Sequence, residues 1–186
     1  MADRELGKPS RRRMLYVAAG SMAGVGALAA LWPLIDAMNP SGDVRASIVV
    51  VDLDAIEEGG EVTVAWQGLP VFVSKRTPGQ LAALRSSSSS RVLRDPTSTW
   101  SEQPLDAKNW HRSLRPEIGV FVGTCTRGDC VVHRQGSASP DARYLCPCCG
   151  AAYDFAGQIF SGPAPRNLRV PPHRLIAARE LLIGAG

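Results

Sequence analysis

Two short cysteine clusters constrain this chain more than any other feature. The first is Cys125-Thr126-Arg127-Gly128-Asp129-Cys130, and the second is Cys146-Pro147-Cys148-Cys149-Gly150. All five cysteines lie in these two boxes. Such sorting marks a site rather than scattered core residues. A fold that serves this site must bring two loop tips together. The odd count leaves at least one thiol over if the others pair, unless the spare one binds a metal or a second chain.

Residues 1–13 are polar and basic, and Met14 to Ile35 is almost wholly apolar. About 20 apolar residues cross the hydrocarbon core as a helix, so 14–36 reads as a transmembrane anchor. Gly20 and Gly24 stand four apart with small neighbours, which suits close helix packing in a membrane. Trp32 falls near the outer end, where aromatic side chains favour the interface. Arg11, Arg12 and Arg13 would hold the N-terminus in the cytoplasm and send the rest across. Ser10-Arg11-Arg12-Arg13-Met14-Leu15 also resembles a twin-arginine export signal. Ala27-Leu28-Ala29 offers a cleavage site, but the apolar run continues past it, so an uncleaved single-pass anchor is expected. Asn39-Pro40-Ser41-Gly42-Asp43 breaks the helix and makes 37–46 a flexible neck, either a hinge or a plain tether.

The remainder, 47–186, reads as an exported, mostly β head. With 45% hydrophobic and 20% charged residues, the chain is globular rather than disordered. The net charge of +4 is mild and no basic stripe carries interleaved aromatics, which argues against nucleic-acid binding. Strands are expected over Ser47–Leu53, Glu61–Trp66, Val71–Val73, Ile118–Gly123, Val131–His133, Arg143–Leu145, Ala151–Phe155 and Gln158–Phe160. Leu168–Val170, Leu175–Ala178 and Leu181–Ile183 would be short closing strands. Thr77-Pro78-Gly79-Gln80 is a helix start with a capping box, for a short helix to about Arg85. Ser86–Ser90 reads as a solvated loop, and 91–115 as a long surface excursion with one helical turn. Each cysteine box sits at the turn of a strand–turn–strand unit, the two together covering about 118–165. From the residues alone, the boxes allow a disulfide between the tips, or four thiols around zinc or an iron–sulfur cluster. His133, just beyond the first box, reads as structural or exposed rather than as a ligand, and His111 and His173 still more so.

The whole chain resembles the Rieske iron–sulfur subunit of the bacterial cytochrome bc complex, the ubiquinol–cytochrome c reductase. The resemblance rests on Leu31-Trp32-Pro33-Leu34-Ile35-Asp36-Ala37-Met38-Asn39-Pro40-Ser41, on Val71-Phe72-Val73 with Arg76-Thr77-Pro78, and on the order of the two boxes. Gly162-Pro163-Ala164-Pro165-Arg166-Asn167-Leu168 closes the head in the family manner. The resemblance implies an antiparallel Rieske-type β-sandwich head on one membrane helix, in the inner membrane, with the head in the periplasm. It implies cytochrome b and cytochrome c1 as partners, quinol as the electron source and a 2Fe–2S cluster as cofactor.

The family pattern is C-T-H-L-G-C followed by C-P-C-H-G-S. Carried over, Cys125 and Cys146 would be the sulfur ligands, Cys130 would bond Cys148, and Tyr153 would hydrogen-bond near the cluster. Pro163 would belong to the loop beside it. Pairing of Cys130 with Cys149 stays open. The departures fall at the chemistry, because Arg127 and Cys149 occupy the two histidine-ligand positions. Ala151 replaces the serine that donates to a cluster sulfur, Gly128 replaces the shielding leucine, and Asp129 replaces a glycine. A guanidinium stays protonated and offers no lone pair to a metal. The expectation is therefore a family subunit with a defective cluster site. The alternatives are a disulfide-stapled structural or assembly paralogue, with Cys149 left as a free thiol, or a remodelled cysteine site holding zinc or a low-potential cluster.

Overall fold

The computed structural model describes residues 10–37, 48–90, 93–136, 143–176 and 179–184. The neck expected at 37–46 and the loop between the boxes lie almost wholly outside these residues. The chain divides into two compact units, Met1–Gly42 and Asp43–Gly186.

In the first unit, helix α1 runs Arg11–Ala37, a little beyond the apolar run at both ends. It is long and apolar enough to cross a membrane, and none of its residues is buried within the protein. Pro33 lies inside the helix. It removes one backbone bond, a loss that spanning helices accommodate.

The second unit is built on antiparallel sheets. Its strands are β1 (Val49–Asp52), β2 (Glu61–Trp66), β3 (Leu69–Lys75), β4 (Ile118–Val122), β5 (His133–Gln135), β6 (Arg143–Leu145), β7 (Ala152–Tyr153), β8 (Ile159–Ser161), β9 (His173–Leu175) and β10 (Glu180–Ile183). They form three sheets, ordered β1-β10-β9, β2-β3-β4 and β5-β6-β7-β8. Strand β2 follows the expected alternation, and the Gln67-Gly68 turn, with both residues at positive φ, pairs Trp66 with Leu69. The first two sheets share one core, including Val51, Trp66, Val71, Val73, Val120, Val122, Leu181 and Ile183. The box sheet has its own core around Tyr144, Tyr153, Phe155, Ile159 and Leu168, joined by Phe72 and Phe121 from β3 and β4. Tyr144 meets Phe121 edge to face at 4.9 Å, an arrangement favoured by ring quadrupoles.

Several elements differ from their sequence reading. Helix α2 spans Pro78–Ser90, so the serine run is helical rather than loop. Its capping box is formed, with the Gln80 amide 3.2 Å from Thr77 Oγ1 and the Thr77 amide 3.0 Å from Gln80 Oε1. The Ser86 hydroxyl donates to the Ala83 carbonyl at 2.9 Å, which keeps a polar side chain compatible with the helix. The stretch 93–115 holds one 3-10 turn, Leu105–Ala107, but it is not a surface excursion. Leu93, Asp95, Ser98, Ala107, His111, Arg112 and Ser113 are buried. Polar clamps fix it. Asn167 donates to the Asp95 carbonyl and to Ser98 Oγ, while Arg112 donates to the carbonyls of Ala156, Gly157 and Leu168. Leu168–Val170 forms no strand. It makes single backbone bonds instead, from the Val122 amide to the Arg169 carbonyl and from the Val170 amide to the Glu102 carbonyl.

Candidate metal centre

The two boxes are one loop design used twice. In the first, the Cys125 amide donates to the Cys130 carbonyl at 2.8 Å and the Asp129 amide to the Cys125 carbonyl at 3.0 Å. In the second, the Cys146 amide donates to the Ala151 carbonyl at 2.8 Å and the Gly150 amide to the Cys146 carbonyl at 2.9 Å. The fifth residue of each loop is left-handed, Asp129 at φ 54° and Gly150 at φ 70°. Glycine takes that conformation freely, and aspartate is among the few residues that tolerate it.

The supports of the two loops differ. The second spans the β6–β7 hairpin, as read from sequence. The first is closed over a shorter length: the Thr124–Val131 bridge is flanked by the Cys125–Cys130 backbone bond and by the Val132 amide donating to the Gly123 carbonyl at 2.8 Å, while β4 pairs with β3 and β5 with β6. Cys130 and Cys148 form a disulfide across the two tips. A third loop packs beside them. A Cβ on Gly162 would lie 2.5 Å from the Ala151 Cα, so this approach requires glycine. Arg94 donates to the carbonyls of Gly162 and Ala164 and holds that loop, with Pro163 exposed between them.

Three thiols remain. Cys125, Cys146 and Cys149 place their sulfur atoms within 4.8 Å of one another, with Cys125 and Cys149 at 3.6 Å. Cys125 and Cys146 are about 1% exposed, and Cys149 is partly exposed. The Tyr153 hydroxyl lies 3.4 Å from Cys125 Sγ and also meets the Thr126 amide at 3.4 Å. The Thr126 hydroxyl in turn donates to the Arg166 carbonyl at 2.8 Å. Burial pushes the Cys125 thiol up, but hydrogen bonds from Tyr153 and the Arg127 amide outweigh it and leave its pKa below the ordinary value. The Cys146 thiol is raised, by burial first and then by its two sulfur neighbours. Of the substituted positions, Arg127 and Gly128 are exposed, and Ala151 is buried with no hydroxyl to offer the site.

No histidine joins this group. His111 Nδ1 pairs with Ser113 Oγ at 2.9 Å, and His173 Nδ1 with the Pro171 carbonyl at 2.8 Å. His133 is exposed on β5. Arg112, which donates to the carbonyls of Ala156, Gly157 and Leu168, gave no signal in the sequence, because a buried arginine looks like a surface one in a stretch without period.

Residues 1–41 match the family model described as the ubiquitinol-cytochrome C reductase Fe-S subunit TAT signal. The ubiquinol-cytochrome c reductase iron-sulfur subunit of Rickettsia felis is 40% identical over 99% of this chain and 100% of its own length. The subunit of the same name from Bradyrhizobium diazoefficiens is 36% identical over 95% of each chain. Among solved structures, a chain of a hyperthermophilic respiratory Complex III matches with a TM-score of 0.47 at 22% identity, over 89% of this chain and 98% of that one.

Proposed function

This chain belongs to the family of Rieske iron–sulfur subunits of ubiquinol–cytochrome c reductase, and from that premise we propose that it is an anchored subunit of such a complex whose cluster site has been altered. Helix α1 is the single-pass anchor in the inner membrane. The N-terminus lies in the cytoplasm, where the arginines Arg11, Arg12 and Arg13 hold it, and the head lies in the periplasm. Cytochrome b and cytochrome c1 are the partners that the family role assigns, and quinol is its electron source.

One observation carries the altered site: Arg127 and Cys149 stand at the two histidine-ligand positions. A Rieske cluster needs two neutral imidazoles on one iron, and two histidines raise the potential to roughly −150 to +300 mV, against about −400 mV for an all-cysteine plant-type cluster. The residues present do not fit it. Arg127 has no lone pair, and the donors that remain are three thiols drawn into a single compact set. An all-thiolate cluster would sit hundreds of millivolts lower, and each 59 mV is about tenfold in a one-electron equilibrium. Electron uptake from a quinol would then be disfavoured by several orders of magnitude. The imidazole that would take the quinol proton is missing as well, and a guanidinium cannot replace it. The head is therefore a disulfide-braced docking domain without the quinol-oxidising cluster, a structural or assembly member of its complex.

The test restores the ligands. Arg127→His with Cys149→His should allow a Rieske-type paramagnetic signal in the reduced full-length chain, with Ala151→Ser added to strengthen it. Each single variant should give none. An equal signal in the unaltered chain would defeat the proposal.

A further inference from the structure

We propose that Cys125, Cys146 and Cys149 form a site for one zinc ion, with the fourth coordination position open to the cleft between the two boxes. The inference rests on the altered-site reading above, and it names what the remaining donors take instead. Zinc bonds thiolate sulfur at about 2.3 Å in a tetrahedron, which sets the sulfur atoms about 3.8 Å apart. The Cys125–Cys149 separation of 3.6 Å is one such edge, and all three sulfurs lie within 4.8 Å. A shift of about 1 Å or less in the longer distances closes the triangle.

The surroundings suit a soft cation. The Cys130–Cys148 disulfide removes the other two sulfurs from competition and fixes the loops that carry the donors. Thiolate donors select thiophilic ions over magnesium or calcium. Tyr153 and Thr126 form the outer support of Cys125, as ligand sulfurs commonly require. The cleft beside the thiols has a volume of about 310 Å³ and is walled by Arg127, Gly128 and the disulfide. A Cβ at Gly128 would meet nothing within 4 Å, so the cleft has open space on that side. Binding releases three thiol protons to solvent as three Zn–S bonds form, with no change in oxidation state. Three thiolates on Zn²⁺ leave a net charge of −1, and the cationic residue Arg127 lines the same cleft. A water molecule completes the tetrahedron.

The full-length chain should be purified in detergent without chelator or reductant, then analysed for metals, acid-labile sulfide and alkylatable thiols. The expected result is about one zinc per chain, no sulfide, and three cysteines that react only after chelation. Cys149→Ser should weaken zinc binding by at least about 100-fold, beyond the effect of losing an outer partner, with the Cys130–Cys148 bond intact by mass spectrometry. Tyr153→Phe should weaken it less. Free thiols without zinc, or a Cys125–Cys149 disulfide, would overturn the zinc site and leave the altered-site reading standing. Zinc held equally by Cys149→Ser would overturn the ligand assignment. Iron with stoichiometric sulfide would overturn the zinc site alone if the reduced chain gives no Rieske-type paramagnetic signal, and both readings if it gives one.

Discussion

Arg112 shows how single polar residues hold this head together. Its guanidinium donates to Gln103 Oε1 and to the carbonyls of Ala156, Gly157 and Leu168, and it is about 1% exposed. Arg112→Met would keep most of the volume but leave buried carbonyls without donors. Each such loss costs about 1–3 kcal/mol, so the variant should lose about 3 kcal/mol or more in urea unfolding. His111 adds a pH dependence. Burial, and secondarily the Arg76 guanidinium, lower its pKa to about 4, with Glu117 opposing. The unfolded chain therefore takes up a proton near pH 6.5, where the folded head still refuses it. Stability from this residue is complete above about pH 6.5 and falls as the pH drops toward 4. Measured by unfolding at pH 7 and pH 5, His111→Gln should lose less stability across that interval than the unaltered chain. Asp154, whose pKa is raised by burial, acts in the opposite direction, so the comparison must be between these two chains.

At the scale of elements, the disulfide and the box loops decide how firmly the site is held. Cys130 and Cys148 are 18 residues apart. In the loop-entropy picture a closure of this length contributes about 3 kcal/mol. Replacing both with alanine should lower the denaturant midpoint accordingly and leave far-ultraviolet dichroism unchanged at low denaturant. The elements that sequence made legible are those written in hydrophobic period. Glu61–Trp66, Arg143–Leu145 and the capped start of α2 stand where alternation and capping put them. Those written in hydrogen bonds were not legible. Ser86–Ser90 continues a helix because its start is capped and Ser86 bonds back to Ala83. The buried residues of 93–115 are fixed by Asp95, Arg112 and Asn167 clamps that join positions more than 40 apart in sequence. The first box is closed over a shorter length than the second, by the Thr124–Val131 bridge and the backbone bonds on either side of it, while β4 pairs with β3 along five residues. For the site itself, the cysteine boxes and the missing histidines were plain in the sequence, whereas the gathering of Cys125, Cys146 and Cys149 needed the fold.

For the whole molecule, an apolar helix and a β head with two matched loops agree with relatives that are ubiquinol-cytochrome c reductase iron-sulfur subunits along nearly their full length. What separates this chain from the family pattern is concentrated at Arg127, Cys149, Ala151, Gly128 and Asp129, all within or beside the boxes. The most direct measurement is electron paramagnetic resonance on the reduced full-length chain in membranes from cells in which it is the only Rieske-type protein. The predicted result is no Rieske-type signal at a protein level where an intact family subunit gives one. A Rieske-type signal proportional to this protein would contradict the altered centre.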